Sequence, residues 1–281
     1  MKKPVSGATL VFLGAFFWSL NAPLVKFLQI DPYLMCGLRA IIAGIALCAF
    51  IRPKKLRWNI WTLVYVLSYC GLSLTIILAL KQTSSVIAIG MQYGAIIWLF
   101  LARWITQKHF DRWGSLPVAI VLVGIVLFMS SGTGGSVTGN LLALSESVFF
   151  ACLTVSSKLA AGENPLGLTA LGNLFTGILM LAAFPASTAT VVTLSGMDWA
   201  LMLVLGVVQL GCGYAFYNMG VQRTTPQKAS LLALWEMLLG PVWVAIFLQE
   251  YPSATVLVGF AVILLGMVID ALLPQILKKR T

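Results

Sequence analysis

Three ionisable residues stand inside long apolar stretches of the chain: Glu236, Glu146 and Arg39. An ionisable group in hydrocarbon is costly and ordinarily faces protein or a water-filled cavity. Each is therefore a candidate site. A carboxylate at Glu236 or Glu146 can hold a substrate ammonium or carry a coupling proton. The flat, forked guanidinium of Arg39 suits a carboxylate. Structural alternatives stand beside these. Glu236 lies one turn before Gly240 and Pro241, and a proline frees a carbonyl to which a protonated carboxyl can donate. Arg39 and Glu146 lie at similar depth and can pair, locking two helices. Asp270 and Glu250 lie near the ends of apolar stretches and are set aside.

Aromatic residues are the second group. Trp18 and Phe150 fall at the centres of apolar stretches, with Tyr69, Tyr93, Tyr214, Tyr217 and Trp235 in others. Aromatic faces hold apolar side chains or cations; plain packing is the alternative. Trp58, Trp61, Trp104, Trp113 and Trp199 fit an interfacial belt.

Several chemistries lack their residues. The single histidine, His109, stands beside Lys108 without partners for a metal. Cys36, Cys48, Cys70, Cys152 and Cys212 form no CxxC and read as small packing residues. No GxSxG or HExxH motif occurs. No nucleotide-binding or cofactor motif is present, so no cofactor and no catalytic residue is expected.

These residues must be positioned by membrane helices. The chain has 281 residues, 60% hydrophobic and 9% charged, where a soluble domain carries about 25% charge. A bilayer-crossing helix needs about 20 mostly apolar residues. Ten such stretches are read: 8–28, 33–51, 60–80, 85–107, 113–131, 140–160, 165–186, 199–220, 228–249 and 254–273. The apolar runs lack the alternation of barrel strands, and a helix satisfies its own backbone. The first stretch is longer than a signal-peptide core and is read as retained.

The net charge of +10 reports topology rather than nucleic acid. With a cytoplasmic N-terminus, the inside receives Lys2, Lys3, Arg52, Lys54, Lys55, Arg57, Arg103, Lys108, Arg112, Lys158, Arg223, Lys228, Lys278, Lys279 and Arg280. The outside receives only Lys26 and Lys81. This satisfies the positive-inside rule, with both termini cytoplasmic.

The halves resemble each other. At an offset of 132, Gly7, Phe17, Trp18 and Lys26 fall on Gly139, Phe149, Phe150 and Lys158. At 142, Gly71, Lys81, Thr83 and Gly124 fall on Gly213, Arg223, Thr225 and Gly266. The change implies about ten extra residues near 186–198, read off the same two offsets. Five spans is an odd number, so the second half enters the membrane inverted, the arrangement of secondary transporters with a midplane site. The expected division is a first repeat at 1–132, a linker at 133–139 and a second repeat at 140–281. Lys26 and Lys158 are read as anchors that snorkel to opposite interfaces.

The chain resembles the drug/metabolite transporter superfamily in its ten-helix, amino-acid-metabolite exporter-like (EamA-type) branch. The likeness spans nearly the whole sequence. Trp18, Ser19, Leu20, Asn21 and Lys26 are similar to the family's W-G-x-N…K. Arg39, Ala40 and Gly44 follow its second-helix pattern, and Gln92-Tyr93 its fourth. Glu236, Gly240, Pro241, Trp243, Glu250, Pro252, Gly259 and Gly266 form the most specific stretch. Ile96 stands where a proline is common, which predicts a fourth helix straighter than the ninth. Lys108 stands where the second half has Glu250.

The resemblance implies an all-α integral membrane carrier: ten transmembrane helices in two five-helix inverted-topology repeats. Its cavity would be lined by helices 1, 3, 4, 6, 8 and 9, adding Asn21 and Gln92 to the candidates. The expected function is secondary transport of a small metabolite by alternating access. An amino acid or related zwitterion is favoured, in the efflux direction. Organic cations or other metabolites are the alternative; an intramembrane enzyme or a channel fits less well. The expected setting is a plasma membrane, foremost a bacterial inner membrane. The partners are substrate and lipid, with proton coupling through Glu236 or Glu146 open and no oligomer required.

Overall fold

The computed structural model describes residues 5–49, 56, 58–131, 135–160 and 164–278, without the side chains of 226, 227 and 274–278. Lys2, Lys3, Arg52, Lys54, Lys55, Arg57, Lys279 and Arg280, with part of the expected linker, lie outside these residues.

Among the described residues ten long helices run back and forth: α1 (Gly7–Phe27), α2 (Pro32–Cys48), α3 (Ile60–Gln82), α4 (Ser85–Gln107), α5 (Ser115–Ser130), α6 (Val137–Ala160), α7 (Pro165–Ala183), α8 (Gly196–Val221), α9 (Pro226–Leu248) and α10 (Ala254–Lys278). Eight contain a stretch long and apolar enough to span a bilayer; α2 and α5 are shorter apolar helices of 17 and 16 residues. Large apolar residues such as Ile45, Leu67, Val126, Ile178, Ile246 and Val258 point outward. Such a surface suits lipid, because a soluble protein keeps exposed apolar patches small.

Helix starts follow local chemistry. Asp31 accepts from the N–H groups of Tyr33 and Leu34 at 2.8 and 3.1 Å, with Pro32 in the first turn. Asn164 with Pro165 and Thr225 with Pro226 begin α7 and α9 the same way. These side chains accept from backbone donors that have no partner within the helix, and proline costs no hydrogen bond there. Asn59 and Thr62 form a capping box at the start of α3.

The closest packing runs between the halves. α3 lies on α6, α2 on α7, α5 on α10, and α1 on both α8 and α9. Exchanging α1–α5 for α6–α10 in order turns the α3–α6 contact into α8–α1. It turns α2–α8 into α7–α3, and both are present. Glycine contacts repeat the symmetry. Gly44 sits against Leu174, and Gly177 against Ile41. Gly124 packs on Gly259 and Ile263, while Gly266 packs on Pro117 and Val121. These are reciprocal contacts of a two-fold axis in the membrane plane, as in an inverted repeat. The extra residues of the second half form a short helix, Pro185–Ala189, and a 3₁₀ turn, Thr190–Thr193.

Three helices are irregular near their centres. α1 is interrupted at Leu20, whose N–H turns back to Phe17 O at 3.2 Å. α8 carries a π-helical stretch, Val204–Cys212. α4 is interrupted at Tyr93–Gly94, where Tyr93 and Gly94 donate to Gly90 O and Met91 O at 3.2 and 2.9 Å. This corrects the expectation of a fourth helix straighter than the ninth, since α4 is interrupted while α9 continues through Pro241. Neighbouring membrane helices make a proline tolerable. The three-residue closures at Tyr93 and Gly94 break α4 without one.

Candidate functional site

The interruptions surround a cavity of about 480 Å³, within the usual range of about 300–1,000 Å³ for small-molecule sites. α1 contributes Trp18 and Asn21 on either side of its break, and α4 contributes Gln92 and Tyr93 at its own. Gln209 enters from the π-helical stretch of α8, where its amide donates to Trp18 O at 3.5 Å. Regular helical turns supply stripes at helical spacing: Tyr65, Tyr69, Ser73 and Ile76 from α3; Glu146, Phe150, Leu153 and Ser157 from α6; Tyr214, Tyr217 and Val221 from the last turns of α8, with Leu210 from its π-helical stretch. α9 adds Ala233 and Glu236. Arg39 of α2 and Leu168 and Thr169 of α7 also reach the wall, so the lining extends beyond the six expected helices.

The structure brings together Trp18, Asn21, Arg39, Tyr69, Gln92, Tyr93, Glu146, Phe150, Tyr214, Tyr217 and Glu236. Trp235 is the exception and corrects the expectation. It is 41% exposed and meets Phe12 edge-on at 5.6 Å. Adjacent helical residues point about 100° apart, so the turn that sends Glu236 inward sends Trp235 away.

The aromatic wall is continuous. Trp18 lies 4.9 Å from Tyr214 and 4.7 Å from Tyr217 between ring centres. Tyr214 is 5.9 Å from Tyr69, which stacks on Tyr65 at 6.0 Å. The Asn173 amide donates to the Tyr69 hydroxyl at 2.8 Å, and the Tyr65 hydroxyl lies 3.3 Å from Thr169 Oγ1.

The charged groups are arranged differently from the expected pair. Arg39 does not form an ion pair with Glu146. Its Nη1 donates to Asn21 Oδ1 at 2.8 Å, and its Nη2 to Ser73 O and Oγ at 3.1 and 3.0 Å. Arg39 thus ties α1, α2 and α3 together. Glu146 is wholly buried, and neither carboxyl oxygen meets a polar partner among the described residues. Glu236 also makes no ion pair among the described residues.

Lys158, Pro165 and Val221 mark the end toward which the cavity extends. The other end is closed by a polar cluster drawn from both halves. Lys26 Nζ donates to Glu250 Oε2 at 2.6 Å, the one ion pair among the described residues. Glu250 Oε1 accepts from the Ser85 N–H at 2.8 Å, placing a carboxylate on the first turn of α4, where the helix dipole favours it. Lys81 donates to Leu28 O, Ser136 N–H donates to Gln82 O at 2.9 Å, and Thr83 bridges to Gly135. Beneath this cluster, buried Val25, Leu28, Ile77, Leu80, Val86 and Ile87 belong to one apolar core. A second cavity of about 470 Å³ is lined by Lys26, Thr83, Glu250 and Tyr251.

Several of these residues escaped the sequence reading. Glu250 was set aside and Lys26 and Lys158 were read as anchors. Tyr65 and Ser73 carried a usable signal, since they flank Tyr69 at four-residue spacing. Gln209 carried none, because nothing local announces a π-helical turn.

A multi-pass helical bundle with a polar and aromatic cavity at the meeting of inverted repeats has the architecture of a membrane transporter. Family comparison agrees: the chain belongs to the EamA-like transporter family, matched at residues 5–130 and again at 137–270. It is 23% identical over 287 residues to the "Uncharacterized transporter YwfM" of Bacillus subtilis (strain 168), covering 96% of this chain and 95% of that one. A solved crystal structure, 17% identical, shares the fold with a TM-score of 0.67, covering 95% of this chain and 97% of the other.

Proposed function

We propose that this transporter is a secondary carrier, not an enzyme, which moves a small metabolite by alternating access. The repeats at 1–132 and 140–281, joined through 133–139, enclose the site. Amino acids and related zwitterions are the favoured substrates, and efflux the favoured direction. Trp18, Asn21, Tyr69, Gln92, Tyr93, Phe150, Tyr214, Tyr217, Glu146 and Glu236 line the substrate path. The setting is a plasma membrane, foremost a bacterial inner membrane, with the cavity end of Lys158 facing the cytoplasm. The observation that carries this reading is the aromatic and polar cavity of about 480 Å³, built from both halves and plugged at one end by the Lys26–Glu250 cluster. A pore would be continuous, whereas a carrier exposes its site to one side at a time.

Counterflow into liposomes tests it. Vesicles preloaded with unlabelled amino acid should accumulate labelled amino acid transiently and saturably. Absence of saturable flux for amino acids, amines, nucleosides and sugars alike would overturn the carrier reading. A flux that rises linearly with concentration would point to a pore. Proton coupling through Glu146 or Glu236 is a part of the proposal that stands separately. If Glu146→Gln and Glu236→Gln each leave pH-driven flux intact, the coupling is not carried by these carboxyls.

A further inference from the structure

We infer that the site recognises its ligand at an ammonium end held by Glu146, and that Arg39 is a positioning residue that does not read a ligand carboxylate. The inference rests on the carrier reading and names the polarity of the ligand. Four observations carry it. First, Glu146 is 0% exposed, and both its oxygens lack a polar partner among the described residues although the residue lines the cavity. A buried carboxyl left without hydrogen bonds is costly, so its place on the wall asks for a donor from a ligand. Second, both terminal nitrogens of Arg39 are already engaged, by Asn21 and by Ser73. A forked grip on a carboxylate uses two parallel N–H groups; three of the five guanidinium N–H groups are held by Asn21 and Ser73, and Nε is the only nitrogen wholly without a partner.

Third, acidic side chains outnumber basic ones in the inner chamber. Its wall holds Glu146 and Glu236 against Arg39. Lys158 lies on α6 twelve residues from Glu146, about 18 Å along the helix axis, and belongs to the mouth. Fourth, a ring system lines the same cavity as the acids: Trp18 with Tyr214 and Tyr217, continuing to Tyr69. Aromatic faces attract cations and accept an apolar body. A monocation or zwitterion with an aromatic or other apolar body satisfies all four. An anion satisfies none of the first three.

A matched series on the purified full chain tests this without any variant. The probes are 2-phenylethylamine, phenylalanine and 3-phenylpropionate, which share a ring and differ in their charged ends. Binding is read by thermal shift and by isothermal titration. The amine and the amino acid should bind within about tenfold of each other, and the carboxylate at least tenfold more weakly than either; tenfold corresponds to about 1.4 kcal/mol. Glu146→Gln should weaken the amine at least tenfold. Arg39→Lys should change the amine-to-amino-acid ratio by less than threefold, whatever it does to stability.

Equal or tighter binding of 3-phenylpropionate overturns the inference. So does binding of the amine that is unchanged in a folded Glu146→Gln protein, the result expected if that carboxyl carries only a proton. Failure of all three probes to bind also overturns it. None of these results touches the carrier reading, which is decided by counterflow: saturable flux of an anion would sink the inference and leave the carrier standing.

Discussion

Arg39 and Glu146 sit in the same wall with opposite circumstances. One has its terminal donors occupied, and the other has no partner. A lysine cannot replace the arginine, because a single ammonium cannot span the Asn21 amide oxygen and the Ser73 carbonyl with the same planar fork. Arg39→Lys should therefore lower unfolding stability by about 2 kcal/mol, the loss of one or two buried charge-assisted bonds. Denaturation of the purified protein in mild detergent checks it; an unchanged midpoint would mean that the Arg39 bonds contribute nothing to holding α1, α2 and α3. Two other residues carry backbone strain. Lys108 and Gln249 adopt left-handed backbone at φ 51° and 54°, closing α4 and α9. Glycine fits that conformation without a Cβ clash. Lys108→Gly and Gln249→Gly should each raise stability by about 1 kcal/mol, read as a higher melting temperature. At this scale the sequence was informative about which residue types matter and silent about rotation. Glu236 and Trp235 are neighbours on one helix, and only packing decides which enters the cavity.

The helices themselves were largely legible. An apolar stretch of the right length admits one solution in lipid, and the stretch read as 228–249 folds as α9. The break at Leu20 had a local signal, because Pro23 three residues on cannot donate to the Ser19 carbonyl. The break at Tyr93 had none, because no proline stands in α4. Ser19, beside the first break, receives the Trp243 indole N–H at 2.9 Å. Gly94, at the second, faces Ile125 and Ser147 of two neighbouring helices. Close helix approach was foreseeable from glycine content but not its partners. A Cβ at Gly177 would lie 2.5 Å from Ile41 Cγ1 and 2.9 Å from the Ile41 backbone nitrogen. Backbone cannot yield cheaply there, so Gly177→Val should separate α2 from α7 and cost about 1–3 kcal/mol. Loss of yield and a lowered melting temperature would report it, while a wild-type melting curve would show that the crossing is looser than the contacts indicate.

In the whole molecule the closed end depends on a bond between halves. Lys26 belongs to α1 and Glu250 follows α9, and their pairing also fixes the first turn of α4. Removing one charge should favour opening at that end. Glu250→Gln should shift the balance about tenfold, the equivalent of about 1.4 kcal/mol, modest enough for a half-buried pair. Cys36 is a built-in reporter. It is fully buried in this state and lies 3.6 Å from the Ser73 hydroxyl of the cavity wall. With the other four cysteines replaced by alanine, a membrane-impermeant maleimide should label Cys36 faster in Glu250→Gln than in the parent. Equal rates would mean that the ion pair does not hold the end shut.

The cross-half packing has a further consequence for how the polypeptide can be made. α3 lies on α6, α2 on α7, α5 on α10 and α1 on α8, so most of the close interfaces join residues on opposite sides of the middle of the chain. The peptide link between α5 and α6 therefore contributes proximity rather than structure. Two gene fragments encoding 1–132 and 133–281 should complement each other when expressed in one cell, and the pieces should copurify through a tag on either one. Each fragment alone should be degraded, because it leaves its α2, α3 and α5, or their counterparts, without the surfaces that cover them.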